Sequence, residues 1–306
     1  MAHQRRKSSP CANKRLPGDL FPILLDKLKQ LQMQDPTIRV KHLLSEIDSK
    51  FVSSETDPAA VRRQRAIFKW LLTERENEAT NDRLLFTPEE YNILPRVPFG
   101  SFVSRCRDTI IGIIGETPPV SALVGAFSGG ASTSRNRTTS HPAWKYLGKA
   151  HVTEAAMPWF DLLKEEVPGW LSGGPYDELV VVPGNVMFTV PKKTDIDRVA
   201  CKEPDINMFL QKGIGNHIRE NLRCVVNINL NDQSINRSLA REGSITDLLA
   251  TLDLSSASDS VSSGLVQMML PECWYTLLDD VRSPVTIIDG EEHRNQMFSS
   301  MGNGFT

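Results

Sequence analysis

The chain has 306 residues, of which 40% are hydrophobic and 24% charged, with a formal net charge of −2. That composition is globular, long enough for more than one domain, and too apolar for wholesale disorder. The small net charge is a cancellation: residues 1–150 carry 23 Lys+Arg against 15 Asp+Glu, and residues 151–306 carry 12 against 22.

No run approaches the roughly 18 apolar residues needed to span a bilayer. The basic stretch MAHQRRKSSPCANKR leads into no signal-type apolar core, so an intracellular protein without membrane association is expected. Residues 1–20 read as a basic, flexible arm. Phe21, Leu24, Leu25, Leu28 and Leu31 then fall at helical spacing, predicting a helix over about 21–33. A second helix is expected from near Pro58 to Leu72. Val61, Ile67, Trp70 and Leu71 form its apolar side, and Arg62, Arg63, Arg65 and Lys69 form a basic side, either solvated or phosphate-facing.

Residues 126–145, AFSGGASTSRNRTTSHPAWK, are rich in Gly, Ser and Thr with interspersed cations. The composition suits a flexible linker, or a loop whose amides and guanidinium groups meet an RNA backbone. In ELVVVPGNVMFTVPKK two β-rich runs flank Pro-Gly, which predicts a hairpin. Ile206, Leu210, Ile214, Ile218 and Leu222 recur every four residues, predicting a helix over 205–223 with Asp205 as its N-cap. A short helix follows in NLNDQSINRSLAREGS, with Gly243 placed to stop it. The last segment reads as a buried strand ATLDL, a loop SSASDS, and two short helices separated by Pro271. VTIIDGEEHRNQMF then forms a hairpin turning at Asp289-Gly290. Strand, helix and hairpin in that order suit an α+β sheet with helices on one face.

Five scattered cysteines with no CxxC pair, and six histidines that do not cluster, argue against a zinc site or a disulfide framework. Reduced, mostly buried thiols are expected. The candidate chemistry lies elsewhere. Asp253 ends the apolar run Leu248, Leu249, Ala250, Leu252, where a carboxylate is costly to bury without a cation or donors. Asp259 follows six residues later, across Ser255, Ser256, Ala257 and Ser258. Hard oxygen ligands beside a triphosphate need such an arrangement. An Asx turn capping the next helix is the alternative use of Asp259. Lys192, Lys193, Arg198 and Lys202 lie within eleven residues. They suit either a channel that neutralises triphosphate or a mixed-charge exposed loop. SMGNGFT sets two glycines around Asn303, a weak signal for a loop that presents amides and hydroxyls to a sugar or phosphate.

Four stretches taken in order carry a resemblance. They are PKKTDIDRVACKEPDINMFLQKGIG, LNDQSINRSLAREGSITDLLATLDLSSASDS, LPECWYTLLDDVRSP and SSMGNGFT. The sequence resembles the RNA-directed RNA polymerase subunit of the small positive-strand RNA phages, the leviviral replicases. The likeness is close over about 190–306 and looser over 126–146.

The resemblance implies a right-hand polymerase. The expected layout is the basic arm at 1–20, a basic helical fingers region over 21–178, and fingers with motif F over 179–245. The start of the palm, with motifs A and B, follows over 246–306. It implies that Asp253 is the catalytic, Mg²⁺-binding aspartate of motif A, and that Asp259 helps recognise the ribose of the incoming nucleotide. Ser300, Gly302 and Asn303 match motif B, and Lys192, Lys193, Arg198 and Lys202 fall in motif F. Two Mg²⁺ ions (Mn²⁺ as the alternative) are the implied cofactor. The implied substrates are an RNA template and NTPs. The implied partners are host elongation factors Tu and Ts and a small-subunit ribosomal protein, in the cytoplasm of a bacterial host.

The family's next motif, a Gly-Asp-Asp hairpin, is not among these 306 residues, nor are the rest of the palm and the thumb. The 306-residue product is therefore expected to be inactive as a polymerase. A non-catalytic RNA-binding module using the basic half, and another right-hand polymerase such as a reverse transcriptase, are the competing readings.

Overall fold

A computed structural model describes residues 20–35, 37–50, 57–146, 149–166, 179–252 and 254–305. The chain divides into two compact units. One comprises residues 1–69 with 189–199, and the other residues 70–188 with 200–306.

In the first unit, α1 (Leu20–Gln34) follows the periodicity of its leucines and buries Leu28, and α2 (Ile38–Lys50) buries Val40. The expected arm at 1–20 lies, but for Leu20, outside the described residues. Helix α3 (Ala59–Phe86) begins in this unit and continues well past the expected end at Leu72. Its basic side is mixed: Arg65 and Lys69 are exposed, Arg63 is half-buried and Arg62 is buried. Arg62 is buried and its Nε donates to Asp197 Oδ1 at 3.1 Å, the two side chains 8% and 7% exposed. Arg65 pairs with Asp57 and donates to the Asp195 carbonyl at 3.0 Å. Of the acids interleaved with the cations of 192–202, Asp197 is Arg62's partner through its carboxylate, and Asp195 meets Arg65 through its backbone carbonyl.

The second unit holds the remainder of α3, a small hairpin of β1 (Asn92–Leu94) and β2 (Val97–Pro98), and α4 (Phe99–Ile114). The short α5 (Pro142–Lys145), β3 (Ala150–Val152) and α6 (Met157–Glu166) precede β4 (Leu179–Val181). Strands β5 (Asn185–Pro191) and β6 (Asp197–Lys202) lead into α7 (Asp205–Val226). Next come α8 (Ser234–Thr246), α9 (Ser263–Met269), α10 (Glu272–Val281) and the hairpin β7 (Val285–Ile288)–β8 (Glu291–Arg294). The larger sheet runs β6-β5-β7-β8, with β5 parallel to β7 and β7 antiparallel to β8. Helices and a mixed sheet together give an α+β architecture. Among the described residues no helix is long and apolar enough to cross a membrane.

Helix α7 is the axis of the core. Its four-residue repeat puts Ile206, Leu210 and Ile214 at 0–1% exposure against Leu123, Phe160 and Trp274. Asn227 in the left-handed conformation ends it, three residues past expectation. The Asp289-Gly290 turn forms as the sequence predicts, both residues at positive φ between the paired strands.

Several local expectations fail, each for a tertiary reason. The two runs around Pro183-Gly184 do not form a hairpin. Strand β4 pairs in parallel with β3, while β5 joins the other sheet, so Pro-Gly marks a change of sheet. Asp205 is not a cap: Pro204 holds that position, and the buried Asp205 carboxylate accepts from Ser132 Oγ at 2.5 Å and His151 N at 3.1 Å. Gly243 lies inside α8, where a Cβ would meet the Leu249 carbonyl at 2.5 Å. Asp247, in the left-handed region, ends the helix instead.

The ATLDL segment carries no strand at 250–252 or 254, and Leu252 and Leu254 are 88% and 73% exposed. A short apolar run becomes a strand only where a ladder partner exists. Of the four described cysteines, only Cys201 is buried. Cys106 is half-buried, and Cys224 and Cys273 are exposed.

Candidate functional site

The loop after β8 carries the densest set of candidate residues, and its shape follows from its glycines. Gly302 has φ +118°, and a Cβ there would stand 2.2 Å from the Cys201 carbonyl, so only glycine fits. Cys201 N in turn donates to the Met301 carbonyl at 2.8 Å, fastening the loop to β6. Asn303 turns inward on its own backbone, its Oδ1 accepting from Phe305 N at 2.8 Å. Gly302, Asn303 and Gly304 line one wall of a cleft of about 370 Å³. The other walls come from Ser128, Gly130 and Ala131, from Phe188 and Ala200, and from Met208, Lys212 and Arg219 of α7.

Beneath the loop lies a buried polar network that no local pattern in the sequence announces. Glu203, 1% exposed, is its centre. Its carboxyl accepts from Asn185 Nδ2 at 2.8 Å, Ser283 Oγ at 2.7 Å and Gln211 Nε2 at 3.2 Å. Asn185 Nδ2 also reaches Ser300 Oγ at 3.1 Å, and Gly304 N donates to Gln211 Oε1 at 2.9 Å. Both ends of the loop are thus tied to one carboxyl group through one intermediary each. Burial pushes the Glu203 carboxyl above the ordinary glutamate range, against the pull of its three donors and of Arg282. Cys201 beside it is pushed up to about 12, chiefly by burial, so it is inert as a nucleophile.

Asp259 sits in the loop 255–260, half-buried, its Oδ1 accepting from Ser258 Oγ at 3.2 Å. It does not cap the following helix. Ser262 does so, accepting from Leu265 N, which removes the cap as an explanation for Asp259. The Asp259 charge is a lesser contributor, after burial, to the raised Cys201 thiol. Its loop is held from α3. Asn77 Nδ2 donates to the Asp259 carbonyl at 2.7 Å, and Asn81 accepts from Gly264 N and donates to Gln296. Glu74, 2% exposed, accepts from Gln296 N, Met297 N and His293 Nε2 at 2.7, 2.8 and 3.0 Å. Glu74, Asn77 and Asn81 recur at helical spacing on one face of α3. That polar stripe could have been found in the sequence, but its target could not.

The four candidate cations are distributed over both units. Lys192 and Lys193 follow β5, and the Lys193 amide closes a turn onto Ile196. Arg198 is exposed on β6. These three belong to the first unit. Lys202, in the second, places its ammonium 5.5 Å from the centroid of Phe188, a cleft residue. Asp253 lies outside the described residues.

The 126–145 segment is not a flexible linker. Ser132 and Ser140 are buried, and Thr133 N bonds the Glu203 carbonyl at 3.1 Å. The fully buried Lys145 donates to the carbonyls of Ser128 and Gly130 at 2.8 and 2.6 Å. Burial lowers its pKa. Its ammonium therefore shapes one wall of the cleft from behind and is not offered to a ligand.

Among the described residues no group of three His, Cys, Asp or Glu side chains could hold a metal ion. What they assemble is a cleft with a glycine-asparagine wall, two cations on a helix and an aromatic face.

Comparison with known sequences gives this geometry a context. A family model described as "RNA replicase, beta-chain" matches residues 18–306. The RNA-directed RNA polymerase beta chain of Escherichia phage MS2 is 41% identical over 236 residues, covering 76% of this chain and 41% of its own length. The corresponding subunit of Enterobacteria phage SP is 40% identical over 277 residues, covering 88% of this chain and 46% of the relative. That of Escherichia virus Qbeta is 38% identical over 279 residues, covering 88% and 44%. The chain thus spans less than half the length of these relatives.

Proposed function

The chain belongs to the RNA replicase beta-chain family, and from that premise we propose that it supplies the fingers and the first part of the palm of a right-hand, RNA-directed RNA polymerase. In the complete enzyme the 3′-hydroxyl of an RNA strand attacks the α-phosphate of an NTP. A new P–O bond forms and pyrophosphate leaves. The observation that carries the reading is the Gly302–Asn303–Gly304 wall, locked to Cys201 and lining a cleft that Lys212 and Arg219 also line.

In this reading Asp259 and Asn303 meet the ribose hydroxyls, the physical means of telling ribo- from deoxyribonucleotides. Ser300 and Gly302 set the wall's conformation. On the family resemblance alone, Lys192, Lys193, Arg198 and Lys202 are assigned to neutralising the triphosphate and the leaving pyrophosphate. No covalent nucleophile is required, which agrees with the inert, buried Cys201.

The described residues do not by themselves compose a Mg²⁺ site, and no role assigned above depends on one. We assign Asp253 as a ligand of the two Mg²⁺ ions (Mn²⁺ as substitute) on the family resemblance alone. Divalent ions in that position lower the pKa of the attacking hydroxyl and stabilise charge on the phosphoryl group. On the same basis the partners are template RNA, NTPs, host elongation factors Tu and Ts and a small-subunit ribosomal protein, in the cytoplasm of the bacterial host.

The test is an Asp253→Ala substitution in a polypeptide joining this span to the remainder of a replicase beta chain. Template-directed NMP incorporation falls to background while RNA binding persists. Undiminished synthesis would sink the assignment and favour a non-catalytic RNA-binding module, the reading supported by the +8 charge of residues 1–150.

A further inference from the structure

Glu74, Asn77 and Asn81 stand at steps of three and four on α3, so they share one face and span roughly 10 Å of helix. Glu74 is 2% exposed and Asn77 3%. Polar groups buried so fully are costly unless each finds a partner. Here the partners are mainly backbone groups of two segments that lie far apart in sequence.

The first segment is the exit of the Asp259 loop. Asn77 Nδ2 donates to the Asp259 carbonyl at 2.7 Å, and Asn81 Oδ1 accepts from Gly264 N at 2.8 Å. The second segment leads into the loop 299–305. Glu74 accepts from the amides of Gln296 and Met297, and Asn81 Nδ2 donates to the Gln296 carbonyl at 3.2 Å. Asn81 therefore bonds to both.

The two segments also bond to each other. Ser262 and Met297 form an antiparallel bridge, Ser263 N donates to the Gln296 carbonyl at 3.0 Å, and Phe298 N donates to the Val261 carbonyl at 2.8 Å. In an antiparallel register, each step back from Ser262 toward Asp259 is matched by a step forward from Met297 toward Ser300. A pairing this short is marginal by itself, and the polar face of α3 supplies the bonds that hold its register. A ribose reader built from Asp259 on one segment and Asn303 beyond the other needs that register, because two groups act on one sugar only at a fixed separation.

We propose that Glu74, Asn77 and Asn81 are positioning residues for sugar selection: they clamp the two segments so that Asp259 and the Ser300–Asn303 loop meet one ribose together. This rests on the polymerase reading, and it adds which residues set the discrimination without touching the nucleotide.

Two measurements test it. The first uses the 306-residue chain and needs no catalysis. In native-state hydrogen exchange, Asn81→Ala is expected to quicken the amides of Gly264 and Phe298, one on each segment, by about five- to tenfold, the weight of one lost hydrogen bond. Glu78→Ala, at an exposed position on the same helix, is expected to leave both unchanged. The second uses the polypeptide that joins this span to the remainder of a replicase beta chain, and compares ATP with 2′-deoxyATP. Asn77→Ala is expected to raise the KM for ATP about fivefold and to leave that for 2′-deoxyATP unchanged, narrowing the ribose preference by the same factor. In an Asp259→Ala background the same substitution is expected to narrow it no further, since Asn77 acts through Asp259.

Amides of both segments indifferent to Asn81 would overturn the clamp. A loss that falls equally on ATP and 2′-deoxyATP, or that adds in full to the Asp259→Ala loss, would make α3 a support only and overturn its part in sugar selection. A parent polypeptide that makes no RNA would defeat the polymerase reading and the sugar-selecting role with it, whereas the exchange data by themselves decide the clamp.

Discussion

Two segments carry the residues expected to face a nucleotide, and the protein treats them differently. The loop 299–305 is fixed from below by Glu203, Gln211 and Asn185, from the side by Cys201, and by the one residue type that fits at 302. The segment 247–260 has α3 holding only its end, through Asn77 at Asp259. Its leading half exposes Leu248, Leu252 and Leu254 at 81%, 88% and 73%. The contrast teaches that the Gly302–Gly304 wall is preorganised by this chain's own polar core. The run leading to Asp253 draws no comparable support from the described residues. Preorganisation of this kind lets a loop present amides and side chains without an ordering cost at the moment of binding.

Breaking the support of the first segment should have the largest effect. Glu203→Ala leaves three buried donors without their acceptor, each worth about 1–3 kcal/mol. A loss of roughly 3–5 kcal/mol in urea unfolding is expected, together with loss of hydrogen-exchange protection at Gly304. The same carboxyl gives a pH signature. Its folded-state pKa lies above the ordinary 4.5, so its contribution is fully present below about that pH and is lost as pH rises through the folded value. Stability should therefore fall across that window in the parent chain, and Glu203→Gln should flatten the fall. A stability curve indifferent to Glu203 would remove the network from the account.

Gly302→Ala comes next. A Cβ at φ +118° and 2.2 Å from a backbone carbonyl forces the loop off β6, at a cost of about 2–3 kcal/mol. Wild-type stability with unchanged Cys201 amide exchange would contradict it. Asn77→Ala removes one hydrogen bond to the Asp259 carbonyl and should cost about 1 kcal/mol. It sharpens the comparison because exchange should quicken at 257–261 and not at 301–304. At the small end, Leu252→Ser should move stability by no more than about 0.5 kcal/mol, as an exposed position does. A drop of 2 kcal/mol would show that this leucine is packed and that the two segments are alike.

Elements whose energetics are local were legible in advance. The four-residue step of Ile206, Leu210 and Ile214 announced α7, and Asp289-Gly290 announced its hairpin, because both depend on near neighbours in the chain. The 179–191 hairpin and the ATLDL strand were misread because ladder partners are chosen over long separations, so a β-rich run carries no address. The candidate residues at 300–303 were legible only as an ordered combination of motifs. Glu203 and Gln211 were invisible, since a lone glutamate or glutamine in sequence reads as surface.

The amino-acid sequence by itself determined the family, the helical core element and the divided charge behind the net −2. The tertiary structure alone decided which polar groups are buried together, that the 126–145 segment is a pinned wall, and that Asp259 is held from α3 with no cap to make. The physical reason is one of range. Propensity and periodicity act within a few residues, whereas the desolvation that makes Glu203 a hub arises only when segments far apart in sequence close over the same carboxyl group.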